Sequence, residues 1–189
     1  DFSDLREADA ESAMTVPGLC EFLDELPKPT ICVVHGACMG AGLALAACAD
    51  MVIATRDAYF SIPEVRLGLP PAPLMPALIR GCGARFLRRY LLSGGRFDVA
   101  AAYRAGLVQE VCDLSDLEGR IGFSIDEYLW AAPNAVAIAK SLLRQLSYSG
   151  HLPSRNELET TFNSLSTSSE AKEGVASFKE GRPPQWYRV

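Results

Sequence analysis

The segment Val34-His-Gly-Ala-Cys-Met-Gly-Ala-Gly-Leu-Ala-Leu-Ala46 carries the strongest structural signal in the chain. It joins the apolar, β-branched run Thr30–His35 to a glycine-rich stretch and then to the small and aliphatic residues Leu43–Ala49. This order predicts a buried strand, a turn over Gly36–Gly42 and a short buried helix. The first amides of a helix lack partners within it and lie at the positive end of its dipole. The segment therefore indicates a site for an anion, or for a carbonyl oxygen that becomes negative during a reaction.

Two interpretations of this glycine-rich stretch stay open on the residues alone. The first is the oxyanion site, and the second is simply close packing of a helix against a strand. A dinucleotide-binding turn is disfavoured, because Gly36, Gly40 and Gly42 do not follow the G-x-G-x-x-G spacing.

The composition is that of an ordinary globular protein. The chain has 189 residues, of which 49% are hydrophobic and 22% are charged, so apolar content is sufficient for a core and disorder is disfavoured. The net charge of −5 is uneven, because residues 1–27 carry −7 and the remaining residues carry +2. A generally basic, nucleic-acid-binding surface is therefore not supported.

The cysteines and the hydropathy point to a reduced, cytoplasmic protein. None of the six cysteines follows another at C-x-x-C or zinc-site spacing. Cys32, Cys38 and Cys48 fall in the most apolar part of the chain, where a free cysteine behaves as a small hydrophobic residue. No stretch of about 18 uncharged apolar residues indicates a membrane span.

Around the opening segment, the periodicity predicts a βαβ unit followed by a mainly helical half. Further strands are expected at Met51–Ala54, Tyr59–Ile62 and Leu107–Cys112, which indicates an α/β fold. Helices are expected over Ala8–Leu26, Leu74–Arg80, Ala84–Leu92, Asp98–Ala105, Ser115–Trp130, Pro133–Ser147 and Glu170–Glu180, with capping boxes at Ser115-Asp-Leu-Glu118 and Ser154-Arg-Asn-Glu157.

A second chemical signal is Phe60-Ser-Ile-Pro-Glu64-Val-Arg-Leu-Gly68. Glu64 follows a predicted strand and a proline, among apolar neighbours. A carboxylate in an apolar cleft is suited to general acid or base chemistry. The alternative is a structural glutamate that forms an ion pair with Arg66 or with another arginine at the rim.

Together, these two segments resemble the crotonase superfamily, the enoyl-CoA hydratase/isomerase family. The resemblance runs from Lys28 to Cys112 and resumes at Glu173-Gly-Val-Ala-Ser-Phe-Lys-Glu-Gly-Arg182. It implies a crotonase-like ββα spiral with a C-terminal helical region that forms trimers or dimers of trimers. The spiral core would span residues 1–146 and the helical region residues 147–189.

The resemblance also implies roles for individual residues. Glu64 matches a catalytic carboxylate, and the Ala41 amide matches one of two oxyanion donors for a thioester carbonyl. The substrate would be an acyl thioester of coenzyme A or of a carrier-protein phosphopantetheine, and neither a metal nor a redox cofactor is implied. Substrate contacts would come from Gly40, Gly42, Ala44, Pro71, Ala72, Lys179 and Arg182.

Ala44 is the main departure from the family pattern, because the first of two hydratase carboxylates would fall at this position. With Glu64 alone, the chain resembles the single-glutamate members, which include enoyl-CoA isomerases. It also resembles dehydratases of 3-hydroxy-3-methylglutaryl or methylglutaconyl-type thioesters, since Leu69–Arg80 has their proline-rich form. A thioester-binding protein without activity is a further alternative.

The start of the chain is a second departure. Asp1-Phe-Ser-Asp-Leu5 resembles the stretch that follows the family's first oxyanion loop. The resemblance therefore implies that this loop and the N-terminal strands are absent from the chain, and that the chain alone has weak activity or none.

Overall fold

The computed structural model describes residues 15–148 and 153–188 and shows an α/β fold. The strands in this part of the chain are β1 (Ile31–Val34), β2 (Ala37–Met39), β3 (Met51–Thr55), β4 (Tyr59–Ser61), β5 (Arg96–Asp98) and β6 (Glu110–Cys112). The α-helices are α1 (Val16–Glu25), α2 (Ala41–Ala46), α3 (Met75–Cys82), α4 (Ala84–Tyr90), α5 (Val99–Arg104), α6 (Leu117–Trp130), α7 (Pro133–Tyr148), α8 (Arg155–Ser166) and α9 (Ser169–Glu180). The α/β class and the helical second half agree with the sequence-based prediction.

One three-stranded sheet has the order β1-β3-β6, and its strands are all parallel. Ile31 lies opposite Met51 and Val34 opposite Ala54, so β1, α2 and β3 form the predicted βαβ unit. In β3 every residue after Met51 is buried. Its almost continuous apolar sequence is typical of a parallel strand that is covered on both faces.

A second sheet has the order β2-β4-β5 and contains two strands that the sequence analysis missed. The prediction of a turn throughout Gly36–Gly42 was wrong, because Ala37–Met39 pairs in parallel with Tyr59–Ser61. This strand has three residues, none of them β-branched, so its sequence carried no strand signal. Strand β5, which pairs antiparallel with β4, is equally short.

Other predicted elements differ from the structure mainly at their ends. The strand expected from Leu107 begins only at Glu110, because the Leu107 amide donates to the Ala102 carbonyl and so completes the end of α5. The helix expected over Leu43–Ala49 instead spans Ala41–Ala46. For the helix expected over Ala8–Leu26, residues before 15 lie outside the described residues.

Of the two predicted capping boxes, the structure confirms the second. The Ser154 hydroxyl accepts a bond from the Glu157 amide at 3.3 Å, and the Glu157 carboxylate accepts one from the Ser154 amide at 2.7 Å. The prediction of a capping box at Ser115 was wrong. Residues Leu114–Asp116 form a 3-10 turn, and α6 begins only after it, with Asp116 at its N-cap.

An aromatic cluster fastens β4 and β5 to α4. The rings of Phe60 and Phe97 stack at 5.4 Å, and Phe86 meets Phe97 edge-on at 5.0 Å. Tyr90 completes the cluster at 4.8 Å from Phe97. Aromatic pairs of this kind contribute ~0.5–1.5 kcal/mol each beyond their buried area. The cluster gives the sheet that precedes Glu64 a rigid backing.

The cysteines are all free thiols, and five of the six are buried. Burial raises the pKa of Cys38, Cys48 and Cys82 to about 12, which keeps these thiols protonated at neutral pH. Among the residues that the structure describes, no helix has both the length and the apolar character needed to cross a membrane.

The C-terminal helices are attached to α6 and α7. Both oxygens of the Glu170 carboxylate accept bonds from the first turn of α7, at the Asn134 and Ala135 amides. The Trp186 indole donates to the Trp130 carbonyl at 3.2 Å. A division of the chain at residue 146, as the resemblance implies, falls in the last turn of α7 and stays a prediction.

Lys140 of α7 holds three parts of the core together. Its ammonium group donates to the Leu23 carbonyl at 3.2 Å, to the Lys28 carbonyl at 3.1 Å and to Asp50 at 2.7 Å. The Asp50 carboxylate also accepts bonds from the amide and hydroxyl of Thr30, both at 2.8 Å. The end of α1, the start of β1 and the start of β3 therefore meet at a single cation.

We expect Lys140→Met to lower the free energy of unfolding by ~2 kcal/mol, because charged hydrogen bonds are lost from a side chain that is only 11% exposed. Urea titration measures the loss. Lys172→Met on the exposed face of α9 is the control and should change the free energy by less than ~0.5 kcal/mol. Equal losses in the two variants would contradict the assigned role.

Candidate active site

The first part of the site is the start of α2. The Gly40 amide donates to the Ser61 carbonyl at 3.0 Å, which places the end of β2 beside the end of β4. Gly40 has φ +52° and ψ −118°, a conformation that residues with a side chain rarely adopt. The chain reverses there and enters α2 at Ala41, whose amide has no partner within the helix.

The second part of the site is Glu64, on the 3-10 turn Pro63–Leu67 that follows β4. Since β2 and β4 are parallel, the segments that leave their ends emerge at the same edge of the sheet. The turn closes on itself when the Leu69 amide donates to the Glu64 carbonyl at 3.1 Å. The parallel pairing thereby places the glutamate beside the start of α2.

The Glu64 carboxylate packs directly against Gly40. A Cβ atom at residue 40 would overlap Glu64 Oε1, so no other residue fits there without moving the carboxylate. The other carboxylate oxygen, Oε2, is buried and has no hydrogen-bond partner among the described residues. A buried oxygen without a donor is uncommon in folded proteins, and it indicates a group kept ready to bind a ligand or a proton.

The alternative of an ion pair between Glu64 and Arg66 was wrong. The Arg66 guanidinium donates instead to the backbone carbonyl of Ser93, at 2.9 Å. The arrangement at Gly40 and Glu64 thus combines a helix-start amide with a carboxylate whose Oε2 has no hydrogen-bond partner among the described residues. Chemically, such a pair can hold a carbonyl oxygen at the amide and exchange a proton with a nearby carbon at the carboxylate.

Of the other residues that the resemblance implied for acyl binding, two lie in α2 and two follow the Glu64 turn. Gly42 is exposed in the first turn of α2, whereas Ala44 is fully buried in the core. Pro71 is buried and Ala72 is exposed, at the start of the next 3-10 turn. Their contact with a substrate stays a prediction.

Lys179 lies in the last turn of α9, and Arg182 follows the end of this helix. The Arg182 guanidinium binds both oxygens of Glu173, at 2.6 and 3.1 Å, and also Glu180 at 2.6 Å. This guanidinium holds the pKa of the Glu173 carboxyl below its usual range. Lys179 is exposed. Among the described residues, α9 forms hydrogen bonds with α7 and with the C-terminal segment. None of these bonds involves the turn that carries Glu64.

The turn Ser93–Gly95 also contributes to this site, which no sequence pattern predicted. It contacts the Glu64 turn through Arg66 and the end of β4 through a bond from the Ser61 hydroxyl to the Gly94 carbonyl, at 3.4 Å. The local signal was the pair Gly94-Gly95 after a helix, which indicates a turn. It does not indicate what that turn contacts.

Comparison with known proteins identifies a family that the chain matches. The family model described as enoyl-CoA hydratase/isomerase matches residues 3–188. The chain is 30% identical to the 2,3-dehydroadipyl-CoA hydratase of Escherichia coli, with 98% of this chain and 74% of the relative covered. It is 30% identical to the carnitinyl-CoA dehydratase of Proteus mirabilis, with 89% of this chain and 66% of the relative covered.

Solved structures show the same likeness. An enoyl-CoA hydratase from Shewanella pealeana superposes with a TM-score of 0.83 at 34% identity, covering 98% of this chain and 71% of that one. Pseudomonas aeruginosa AtuE superposes with a TM-score of 0.89 at 31% identity, covering 100% and 76%.

The fold and the family match together define an enzyme of the crotonase type. The chain belongs to the enoyl-CoA hydratase/isomerase family. It spans 66% to 76% of the length of these relatives.

Gly40→Ala and Gly36→Ala separate backbone strain from the contact with Glu64. Both glycines have positive φ, but a Cβ atom at residue 36 would meet nothing within 4 Å. We expect Gly36→Ala to lower the free energy of unfolding by ~1–2 kcal/mol. Gly40→Ala should cost at least ~1 kcal/mol more, because the carboxylate must move. Urea titration of both variants checks this, and equal losses would contradict the proposed contact.

Proposed function

We propose that this chain carries out proton transfer on an enoyl-CoA or 3-hydroxyacyl-CoA thioester, with Glu64 as its single acid/base. The observation that supports this most directly is the buried Oε2 of Glu64, which has no partner in the part of the chain that the structure describes and lies next to Gly40 and the start of α2. The Ala41 amide would stabilise the thioester oxygen. An oxyanion donor of this kind contributes ~3 kcal/mol to transition-state stabilisation.

The proposed reaction begins when Glu64 removes a proton from the α or γ carbon. The electron pair of the broken C–H bond moves towards the thioester carbonyl, and negative charge develops on the oxygen at the Ala41 amide. In isomerisation, Glu64 returns the same proton to the other carbon. In dehydration, the C–O bond at the β carbon breaks, and the leaving hydroxide takes the proton from Glu64 as water.

Ala44 favours isomerisation or dehydration over the two-carboxylate hydration that the resemblance assigns to family hydratases. Its methyl group neither donates nor accepts a proton, and it is fully buried. The relatives include a protein named as a hydratase and one named as a dehydratase. We therefore keep dehydration of a 3-hydroxy-3-methylglutaryl or methylglutaconyl-type thioester as the second candidate, since Pro71 and Ala72 belong to the proline-rich segment that motivates it.

The carrier of the acyl group belongs to the same proposal. Coenzyme A is the carrier in the relatives' names, and a carrier-protein phosphopantetheine presents the same thioester. Lys179 is exposed and offers a cation for the phosphates, whereas Arg182 is already engaged by two carboxylates. A reduced, cytoplasmic setting fits the six free thiols.

Glu64→Gln tests the proposal, because it keeps the shape of the side chain but cannot accept the proton. We expect turnover to fall by a factor of ~10²–10⁴. The measurement uses crotonyl-CoA for hydration, 3-hydroxybutyryl-CoA for dehydration and 3-hexenoyl-CoA for isomerisation. Glu118→Gln, in the exposed first turn of α6, is the control.

Unchanged turnover in Glu64→Gln would overturn the assignment of the acid/base. Binding of these thioesters by the wild-type chain, measured by calorimetry, without turnover of any of them would favour the third possibility, a thioester-binding protein without activity. Turnover of 3-hexenoyl-CoA alone would favour the isomerase over the dehydratase.

We also propose that the chain associates with copies of itself, as a trimer or a dimer of trimers. Helices α8 and α9 expose large apolar side chains, with Phe162 70% exposed and Phe178 88% exposed. Leu158 lies one helical turn before Phe162 and is also exposed, so α8 presents an apolar stripe. Burying such a stripe in a partner removes apolar surface from water.

Phe162→Asp and Phe178→Asp should shift the mass measured by light scattering from an assembly to a single chain. A charge in a buried interface is costly to desolvate. Thr160→Asp, on α8 but outside the apolar stripe, should leave the mass unchanged. A wild-type chain that is monomeric at micromolar concentration would contradict this proposal.

A further inference from the structure

Arg66 makes contacts that the proposed chemistry does not use. It lies two residues after Glu64 on the same 3-10 turn. Its Nε atom donates to the Ser93 carbonyl at 2.9 Å. The aliphatic part of its side chain passes directly over Gly94, where a Cβ atom would lie 2.8 Å from Arg66 Cγ and 3.0 Å from Cδ. The arginine therefore joins the Glu64 turn to a distant backbone segment.

The segment that Arg66 contacts is itself well fixed. The Gly94 amide donates to the Leu91 carbonyl at 3.2 Å, and the Ser93 hydroxyl donates to the Arg89 carbonyl at 3.0 Å, so the turn is attached to the end of α4. Gly94 is buried, and its carbonyl accepts the bond from Ser61 at the end of β4. Arg66 thus binds to a part of the molecule that is anchored at two points.

The Glu64 turn, by contrast, has mainly local support. The Gly68 amide donates to the Val65 carbonyl at 3.2 Å, and the Leu69 amide donates to the Glu64 carbonyl at 3.1 Å. Short 3-10 turns have poor hydrogen-bond geometry and depend on their surroundings. Since Glu64 Oε2 has no partner among the described residues, the position of the carboxylate depends on the position of the turn.

We propose that Arg66 is a positioning residue for Glu64. By holding the 3-10 turn to the Ser93–Gly95 turn, it keeps the carboxylate against Gly40 at the start of α2. The contact also requires glycine at residue 94, because a side chain there would displace the arginine. The proposal rests on the proposed function of Glu64 and adds the residue that keeps this group in place.

Three variants test this role by separating kcat from KM. Arg66→Met keeps most of the side chain but removes the hydrogen bond, and it should lower kcat about tenfold, because a small misplacement of a reacting group has effects of this size. The KM should change little. Arg66→Lys, which retains a donor, should recover most of the loss. Arg104→Met, on the exposed end of α5, is the control.

A double-mutant cycle tests the contact between Arg66 and Gly94. Gly94→Ala should lower kcat at least as much as Arg66→Ala does, because its methyl group displaces the arginine and the φ of +61° at Gly94 also strains an alanine. In the double variant Arg66→Ala, Gly94→Ala, the loss of kcat should be clearly smaller than the two single losses combined, since the side chain that the methyl group displaces is gone. Additive losses would overturn the proposed coupling.

Hydrogen–deuterium exchange gives a readout that does not depend on turnover. Arg66→Met should raise exchange at the Gly68 and Leu69 amides by about tenfold, as the loss of one charged hydrogen bond predicts. Arg104→Met should leave these amides unchanged. Unchanged exchange in Arg66→Met would overturn the proposal even if none of the three thioesters is turned over.

The outcomes also separate this proposal from the proposed function. If Glu64→Gln retains activity, the assignment of the acid/base is wrong whatever Arg66 does. If Glu64→Gln is inactive and Arg66→Met keeps the wild-type kcat, the positioning role alone is wrong. A rise in KM with kcat unchanged would also overturn it, because that is the effect of losing a cation that binds the substrate.

Discussion

The parallel pairing of β2 with β4 is the constraint on which the site depends. Each strand has only three residues, yet their register fixes where the chain goes next. One strand leads through Gly40 into α2, and the other leads through Pro63 to Glu64. The bond from the Gly40 amide to the Ser61 carbonyl locks the two ends together. A helix-start amide and a carboxylate, 23 residues apart in the sequence, become neighbours because of this short ladder.

A packed aromatic cluster supports one side of this ladder. The aromatic cluster of Phe60, Phe86, Tyr90 and Phe97 backs the sheet from α4. Among the described residues, no donor reaches Glu64 Oε2, which costs stability and leaves this oxygen able to accept a hydrogen bond. The rigid backing keeps such an unsatisfied group in place. Active sites commonly combine a stiff support with a locally unfavourable arrangement.

The sequence predicted the parts of this site that are encoded locally, and it missed the parts that depend on distant contacts. Glycine spacing and the Pro-Glu step located Gly40 and Glu64, because both are visible within a dozen residues. Strand β2 was missed, since its length and composition give no local signal. Pairing of Arg66 with Glu64 was one of the open alternatives, but Arg66 binds the carbonyl of Ser93, which no local pattern indicates. A local pattern was not always sufficient: the capping box at Ser154 formed as predicted, whereas the same pattern at Ser115 gave a 3-10 turn over Leu114–Asp116.

The capping of α7 by Glu170 has a consequence for the order in which the molecule can mature. The carboxylate that satisfies the Asn134 and Ala135 amides comes from a residue 36 positions further along the chain. During synthesis on the ribosome, all residues of α7 are therefore present well before Glu170, the acceptor for its first turn, has been added. Until Glu170 emerges, those amides depend on water, and the first turn of α7 is free to fray. The docking of α9 is thus the step that fixes the start of α7.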